Sequence, residues 1–159
     1  MINNNKVLPL RIGVGIVLLN SKNRVFVGKR IDNPKKFWQM PQGGVNTNES
    51  YLEAAKRELE EETSIKSVSL IKEIDGWLTY QLPKNLLGKI WRGKYSGQKQ
   101  KWFIMKFEGK NEEINVKTSN PEFLEWKWIE PIELPKLVVD FKLNIYKQLT
   151  KELIILKLS

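Results

Sequence analysis

Residues 43–65 read GGVNTNESYLEAAKRELEEETSI, a pair of glycines followed by a segment rich in glutamate. Six of the chain's eighteen acidic residues fall within residues 49–62, although the chain as a whole carries a net charge of +9. Apolar residues recur there at the three- and four-residue spacing of an amphipathic helix, namely Leu52, Ala55 and Leu59. The pattern predicts a helix over Ser50–Thr63 whose apolar seam faces the core.

Three glutamates of this predicted helix project from one side. Glu58 and Glu62 are four residues apart and Glu61 is three residues from Glu58, so the three span roughly 100° of arc. Carboxylates crowded beside a buried seam repel each other and lose hydration, and a bound divalent cation would relieve both costs. Glu60 points elsewhere and is expected to be solvated. Taken alone, the pattern also fits a surface helix with Glu–Lys pairs.

The spacing of the whole stretch is more specific than the helix alone. It places Gly43, Glu49, Arg57-Glu58-Leu59, Glu61-Glu62 and Ser64-Ile65 in one register. This resembles the Nudix box, G-x5-E-x7-R-E-U-x-E-E-x-G-U with U aliphatic. A chance match at all positions but one is on the order of one in a million for a chain of this length, so the surface-helix interpretation is set aside.

Ser64 is the departure from that pattern, because it stands where the box has Gly. A Gly just past a helix end usually adopts a left-handed cap, and Ser in the same conformation costs about 1 kcal/mol. We expect lower stability with the chemistry retained.

The resemblance implies an α+β fold arranged as an α/β/α sandwich, a mixed β-sheet flanked by helices. It implies that Glu58, Glu61 and Glu62 bind a divalent metal, Mg²⁺ with Mn²⁺ as a substitute, together with the carbonyl oxygen of Gly43. It also implies that Arg57 orients a glutamate of the box through a salt bridge.

Composition excludes several other kinds of site. The chain has no cysteine and no histidine, which removes disulfides, thiolate and imidazole ligands, and the Ser-His-Asp and Cys-His catalytic arrangements. Acids and bases must then be carboxylates, Lys or Tyr, and a metal must be held by oxygen, which favours hard ions. The excess of 27 basic over 18 acidic residues suits a polyanionic partner, although Lys-rich composition drift explains it equally well.

Alternating and periodic segments predict the remaining elements. A second helix is expected after Pro135, carrying Val138, Phe141, Ile145 and Leu149. Several strands with only two helices favour a mixed sheet over a doubly wound parallel one. The predicted strands are Leu10–Leu19, Arg24–Gly28, Val68–Ile74, Trp77–Gln81, Lys101–Phe107 and Phe123–Ile129.

The apolar run Val7–Leu19 resembles a signal peptide only faintly. Arg11 interrupts it, and Ile12, Val14, Ile16 and Leu18 alternate as in a strand. No later run reaches the ~20 apolar residues of a membrane span. We expect a soluble, cytoplasmic protein with one domain over residues 1–159, its Nudix box at 43–65.

Segments outside the box indicate a subfamily. They are Trp38–Gly44, Gly97–Phe103, Ile114-Asn115, Thr118–Phe123, Trp126–Trp128 and Val138–Lys142. From about Arg11 to Tyr146 the chain resembles the bacterial RNA pyrophosphohydrolases, also described as dinucleoside polyphosphate hydrolases and invasion-associated proteins. The resemblance implies conversion of the 5′-triphosphate of RNA to a monophosphate, a step that initiates mRNA decay.

The same resemblance assigns residues outside the helix. It implies that Glu122 is an additional carboxylate of the site, acting as metal ligand or general base together with the catalytic residues Arg57, Glu58 and Glu61. Without the resemblance, Glu122 would be interpreted as an ordinary loop acid after Pro121. The positions that match the substrate cleft are Arg11, Arg30, Tyr80, Lys99, Lys101 and Phe141. Their structural alternatives are core packing for Phe141, a strand aromatic for Tyr80, and a solvated strand face for the two lysines.

Three functions follow, in order of preference. The first is a metal-dependent RNA pyrophosphohydrolase. The second is a hydrolase of diadenosine polyphosphates on the same scaffold. The third is a basic RNA-binding module without activity, against which the intact Glu58, Glu61 and Glu62 argue. We expect an RNA 5′ end or a dinucleoside polyphosphate as partner, a monomer, and no binding to DNA or membrane.

Overall fold

The protein is built around a mixed β-sheet. The computed structural model describes residues 7–32 and 37–158. Its first strand, β1, pairs in parallel with β7 across ten positions, from Leu10 beside Gly97 to Leu19 beside Lys106. The other pairings between described strands are antiparallel. The strands are β1 (Leu10–Leu19), β2 (Val25–Arg30), β3 (Trp38–Gln39), β4 (Gln42–Gly44), β5 (Val68–Glu73), β6 (Leu78–Gln81), β7 (Gly97–Phe107) and β8 (Phe123–Ile129).

Helices cover both faces of this sheet: α1 (Tyr51–Thr63), the short α2 (Leu134–Leu137) and α3 (Leu143–Ile155). Because side chains alternate along a strand, β1 supplies two separate cores. Val14, Ile16 and Leu18 pack with α1, whereas Val17 and Leu19 pack with α3. The mixed sheet flanked by helices, predicted from the sequence, is confirmed.

Local sequence signals set the limits of α1. Ser50 caps its N-terminus, and Ser50 and Glu53 form a reciprocal capping box, so the helix proper begins one residue later than predicted. Ser64 ends it in the left-handed conformation, with φ of 66°, as its place in the box implied. The Ser64 hydroxyl donates a 2.8 Å hydrogen bond to the carbonyl of Asn115, which offsets part of the strain.

The region after Pro135 differs from the single helix that was predicted. Pro135 lies in the first turn of α2, but Val138 and Val139 are extended, with ψ of 154° and 144°. A 3-10 turn at Asp140–Lys142 then leads into α3. Phe141 therefore precedes the last helix, because the extended valines interrupt the helical run that its spacing suggested.

Two further differences concern the sheet. The short strands β3 and β4 were not predicted, since two- and three-residue strands carry no periodicity. β7 begins at Gly97 and not at Lys101, because Gln98 and Gln100 are buried and take part in the ladder. The start of β7 is polar in sequence, so the search for apolar alternation did not predict it as part of the strand.

Candidate active site

A cleft of about 780 Å³ opens on the α3 face of the sheet. Arg11 of β1 and Gln98 of β7 line the cleft. Helix α1 packs on the other face of the sheet, but its Glu58 and Glu62 side chains also line the cleft, next to β4. The segment after β6 forms one wall and the Asp140–Lys142 turn forms another. Acidic, aromatic and basic side chains all line this cleft, and we call the part around Glu58, Glu62 and Glu122 its acidic end.

Glu58 lies against the two glycines of β4. Its carboxylate accepts a hydrogen bond from the backbone N–H of Gly44 at 3.2 Å and one from Arg57 Nη1 at 2.9 Å. The same carboxylate fills the space that a side chain at Gly43 would need. Burial raises the pKa of Glu58, and Arg57 opposes that rise.

Arg57 forms hydrogen bonds with several groups of the acidic end. Its Nε and Nη2 donate to the two carboxylate oxygens of Glu49 at 2.7 and 2.9 Å, and Nη2 also donates to the carbonyl of Gly44 at 2.9 Å. Nη1 donates to Glu58 and, at 3.1 Å, to Glu61. The hydrogen bonds to Glu49 in particular hold the pKa of Arg57 above its ordinary value. The guanidinium thus fixes the position of the helix acids relative to β4.

Glu62 is the most buried acid of the site, with 5% of its surface exposed. Its Oε2 has no hydrogen-bond partner among the described residues. Burial raises the pKa of Glu62 well above its ordinary value, and the nearby charges of Glu58 and Glu122 add to the rise. A buried carboxylate oxygen without a partner, beside two further carboxylates, is a donor set that fits a hard divalent cation.

Glu61 and Glu122 lie at the margin of this group. Glu61 is 58% exposed and turned toward Arg57, and Glu122 is exposed at the entry to β8, where it lines the cleft. Within residues 7–32 and 37–158, no three acidic side chains converge on one point as a ready-made metal centre. The acids predicted from the helix spacing are neighbours, with Arg57 between two of them.

Aromatic and basic side chains line the same cleft. The rings of Tyr80 and Phe141 are 5.5 Å apart, and the Arg11 guanidinium lies 5.4 Å from the centre of the Trp91 ring. Arg30 is paired with Asp32, and it also donates to Gln39 Oε1 at 3.1 Å. Four of the six predicted substrate residues, Arg11, Arg30, Tyr80 and Phe141, therefore line one cleft with Glu58, Glu62 and Glu122.

The NUDIX domain matches residues 9–149 of this sequence. The chain belongs to the NUDIX family. Members of the family use divalent metal ions. The predicted family is thereby confirmed, and the acidic end of the cleft coincides with the Nudix box.

Curated Nudix relatives match almost the whole chain. An RNA pyrophosphohydrolase of Pelagibacter ubique is 66% identical over 149 residues, which cover 93% of this chain and 94% of that protein. An RNA pyrophosphohydrolase of Orientia tsutsugamushi is 44% identical over 151 residues, covering 95% and 94% of the two chains.

Solved structures agree on the fold. The dihydroneopterin triphosphate pyrophosphohydrolase of E. coli superimposes with a TM-score of 0.72 at 22% identity, over 92% of this chain and 99% of that one. The Ap4A hydrolase of C. elegans does so with a TM-score of 0.62 at 18% identity, over 89% and 97%. In this Nudix chain no helix among the described residues is long and apolar enough to span a membrane.

Lys99 and Lys101 are not among the residues that line this cleft. Lys101 is in register with Val14, so its side chain lies on the α1 face of the sheet, and Lys99 shares that face. The ammonium groups of Lys99 and Lys101 lie 4.8 and 5.7 Å from the centre of the Trp77 ring. Gln98, which precedes Lys99 and points to the opposite face of β7, lines the cleft instead. A solvated strand face was the structural alternative given for these lysines, but the side chain of Lys101 is only 17% exposed.

Lys142 is a buried cleft residue that the sequence did not assign to the site. It is 3% exposed, and its Nζ donates to Gln39 Oε1 at 3.1 Å. Burial lowers the pKa of Lys142 to about 7, and the Arg30 charge acts in the same direction against the weaker effects of neighbouring acids. The available signal was its place directly after Phe141 in one of the segments that indicate the subfamily.

Proposed function

We propose that this chain is a metal-dependent RNA pyrophosphohydrolase, which converts the 5′-triphosphate end of RNA to a 5′-monophosphate and releases pyrophosphate or phosphate. One observation carries the proposal: a single cleft is lined both by the acidic end, with the unpartnered Glu62 oxygen, and by the aromatic pair Tyr80 and Phe141. A triphosphate needs acids that hold a metal, and a nucleotide base needs aromatic rings.

Glu58, Glu61, Glu62 and Glu122 would hold the metal, with the carbonyl oxygen of Gly43. Mg²⁺ suits an all-oxygen donor set without histidine or cysteine, and Mn²⁺ is expected to substitute for it. When bound, the metal neutralises phosphate oxygens and lowers the pKa of water that it contacts. Arg57 keeps Glu58 and Glu61 in place for that task.

The reaction also needs a proton acceptor. A water oxygen forms a bond to phosphorus, the P–O anhydride bond breaks, and the departing phosphate oxygen keeps the electron pair. Glu122 lines the cleft and would take the proton of the attacking water, a task for which the chain has no histidine. Arg11 and Lys142, which line the same cleft, would stabilise the negative charge of the phosphates.

The similarity to curated RNA pyrophosphohydrolases at 66% and 44% identity supports RNA over other phosphoanhydride substrates. The Tyr80 and Phe141 rings line the same cleft as the acids, and we infer that Phe141 stacks a base beyond the reacting phosphates. Such stacking contributes about 1–3 kcal/mol per base. A mononucleotide has no second base with which to use it.

The test compares kcat/KM for ATP, diadenosine tetraphosphate, a 5′-triphosphorylated dinucleotide and a longer 5′-triphosphorylated RNA. We expect the triphosphorylated RNAs to exceed ATP by roughly ten- to a hundredfold, and Phe141→Ala to remove most of that gain. Trp77→Ala is the matched control, since Trp77 is a partly exposed aromatic residue that does not line the cleft. Equal values for all substrates, unaffected by Phe141→Ala, would overturn the RNA assignment. A preference for diadenosine tetraphosphate would establish the second function in its place.

A further inference from the structure

The segment between β6 and β7 concentrates positive charge beside the cleft. Residues 83–96 contain four basic residues and no acidic one. All four are exposed, and none forms an ion pair within the part of the chain that the structure describes. We call this set the basic wall: Lys84, Lys89, Arg92 and Lys94.

The inner side of the same segment belongs to the cleft. Pro83, Leu86, Ile90 and Trp91 line it, so the segment presents apolar groups inward and cations outward. Exposed basic side chains that form no ion pair within the described part of the protein are available to bind an external anion.

The change from the cleft side of the segment to its exposed side occurs between Trp91 and Arg92. Trp91 and Arg92 are both left-handed, with φ of 49° and 56°, a conformation that bulky residues rarely adopt. The Trp91 ring meets the Arg11 guanidinium on the cleft side, whereas Arg92 is exposed. Backbone strain of this kind persists where the surroundings impose it, which occurs often at binding sites.

Hydrogen bonds fix both ends of the segment. The Leu82 N–H donates to the Ser96 carbonyl at 2.8 Å, and the Ser96 N–H donates to the Pro9 carbonyl at 3.0 Å. The Ser96 hydroxyl also donates to the Leu8 carbonyl at 2.8 Å. The basic wall is therefore held against the chain entering β1 and keeps a set position beside the cleft.

We propose that the basic wall binds the phosphates of the RNA downstream of the reacting 5′ end. This inference rests on the proposed function, because the 5′-triphosphate must occupy the acidic end while the rest of the RNA leaves the cleft. Trp91 and Tyr95, whose rings meet edge to face at 6.2 Å, place aromatic side chains among these cations. Cations interleaved with aromatics suit single-stranded nucleic acid better than an acidic protein.

The basic wall and the pair Lys99 and Lys101 lie on different parts of the molecule. Those lysines lie on the α1 face, whereas the basic wall borders the cleft itself. Substrates that end within the cleft, such as a triphosphorylated dinucleotide, do not reach it. The wall thus makes the enzyme sensitive to RNA length.

The test is a fourfold variant, Lys84→Gln, Lys89→Gln, Arg92→Gln and Lys94→Gln, in the full chain. Its control removes four other exposed lysines, Lys110, Lys117, Lys147 and Lys151, as Gln variants with the same change in charge. Activity is measured on a 5′-triphosphorylated dinucleotide and on a 5′-triphosphorylated RNA of about twenty nucleotides, across a range of salt concentrations.

We expect the wall variant to lose tenfold or more in kcat/KM on the long RNA, with a change below about twofold on the dinucleotide. Its log–log salt slope should shrink by about 0.7 for each phosphate that the variant no longer binds, whereas the control variant should keep the slope of the parent. Binding of a 5′-hydroxyl RNA, followed by fluorescence anisotropy, should fall in parallel and requires no turnover.

Three results would overturn the inference. Unchanged activity and affinity on long RNA, with normal turnover of the dinucleotide, would refute the wall and leave the proposed function standing. Equal losses on both RNAs would place these residues in the cleft or the fold. Unchanged RNA binding combined with lost binding of polyglutamate would assign the surface to an acidic protein. Failure of the parent protein to hydrolyse the dinucleotide, with RNA binding still dependent on the wall, would refute the proposed function alone.

Discussion

The carboxylate of Glu58 packs against the α-carbon of Gly43, in the space where any side chain on residue 43 would begin. The neighbouring Gly44 N–H donates to the same carboxylate at 3.2 Å. The glycine of the box is therefore required for contact with its glutamate, and the φ of residue 43 has no part in that requirement.

Gly43→Ala should consequently displace Glu58 and lower kcat/KM by about a hundredfold or more, because a misplaced ligand weakens transition-state stabilisation. Gly76→Ala is the control. Gly76 has open space but a left-handed φ of 73°, so its variant should lose about 1 kcal/mol of stability with unchanged activity. Equal kinetics for the two variants would contradict the steric role. Steady-state kinetics and thermal unfolding measure both effects.

Glu61→Gln should abolish turnover while the protein stays folded. The side chain is 58% exposed and shares Arg57 with better-buried acids, so its ion pair contributes about 0–1 kcal/mol to stability. A lost metal ligand should cost roughly a thousandfold or more in rate. Single-turnover assays beside circular dichroism provide the check, and near-normal turnover by a folded variant would refute the assignment.

Glu62→Gln should stabilise the protein at neutral pH. Burial raises the pKa of Glu62, so between the unfolded value near 4.5 and the raised folded value the native state binds more protons than the unfolded state. Stability therefore falls as pH rises through that window, and the variant should lack this decrease. Thermal unfolding from pH 4 to pH 8 shows the sign. Mg²⁺ should raise the melting temperature of the parent and not that of the variant.

Glu122→Gln should affect chemistry more than folding. The side chain is exposed, and the hydrogen bond that joins this residue to Ile31 uses its backbone carbonyl, which the substitution keeps. We expect kcat to fall about a hundredfold, the usual scale for a general base, with an unchanged melting temperature. A loss of stability with unaltered kcat would make Glu122 an ordinary loop acid.

Lys142→Met should flatten the rise of stability with pH above neutrality. Burial lowers the folded pKa of Lys142 to about 7 from an ordinary 10.5, so between those values the unfolded state binds more protons and stability rises with pH. The groups that set this pKa are Arg30, Asp32, Glu62 and Glu122. The difference in melting temperature between parent and variant should therefore change from pH 7 to pH 9. A constant difference would show that Lys142 does not titrate there.

Features that depend on neighbouring residues in the chain were predictable. The Ser50 cap, the apolar seam of α1 and the shared side of Glu58 and Glu62 all follow from helical spacing, and α1 differs from the prediction by one residue. The strands Leu10–Leu19 and Phe123–Ile129 match because alternation and apolar content agree there.

Features that depend on tertiary packing were not predictable. The face that Lys99 occupies is set by the register between β7 and β1, which the sequence of β7 alone does not contain. Lys142 is buried because Phe141, Tyr80 and Gln39 meet around it from separate elements. Spacing alone placed Phe141 on a helix, whereas the extended Val138 and Val139 place it in a turn before α3.

The parallel pairing of β1 with β7 also bears on how the protein is made. Leu10 lies beside Gly97, so a growing chain that stops short of β7 contains the whole Nudix box but lacks the strand that completes the cleft. Pairing across such a separation incurs the entropy of loop closure before any contact repays it. The helix that carries the box glutamates is therefore synthesised long before the cleft is complete, and activity should emerge late during synthesis.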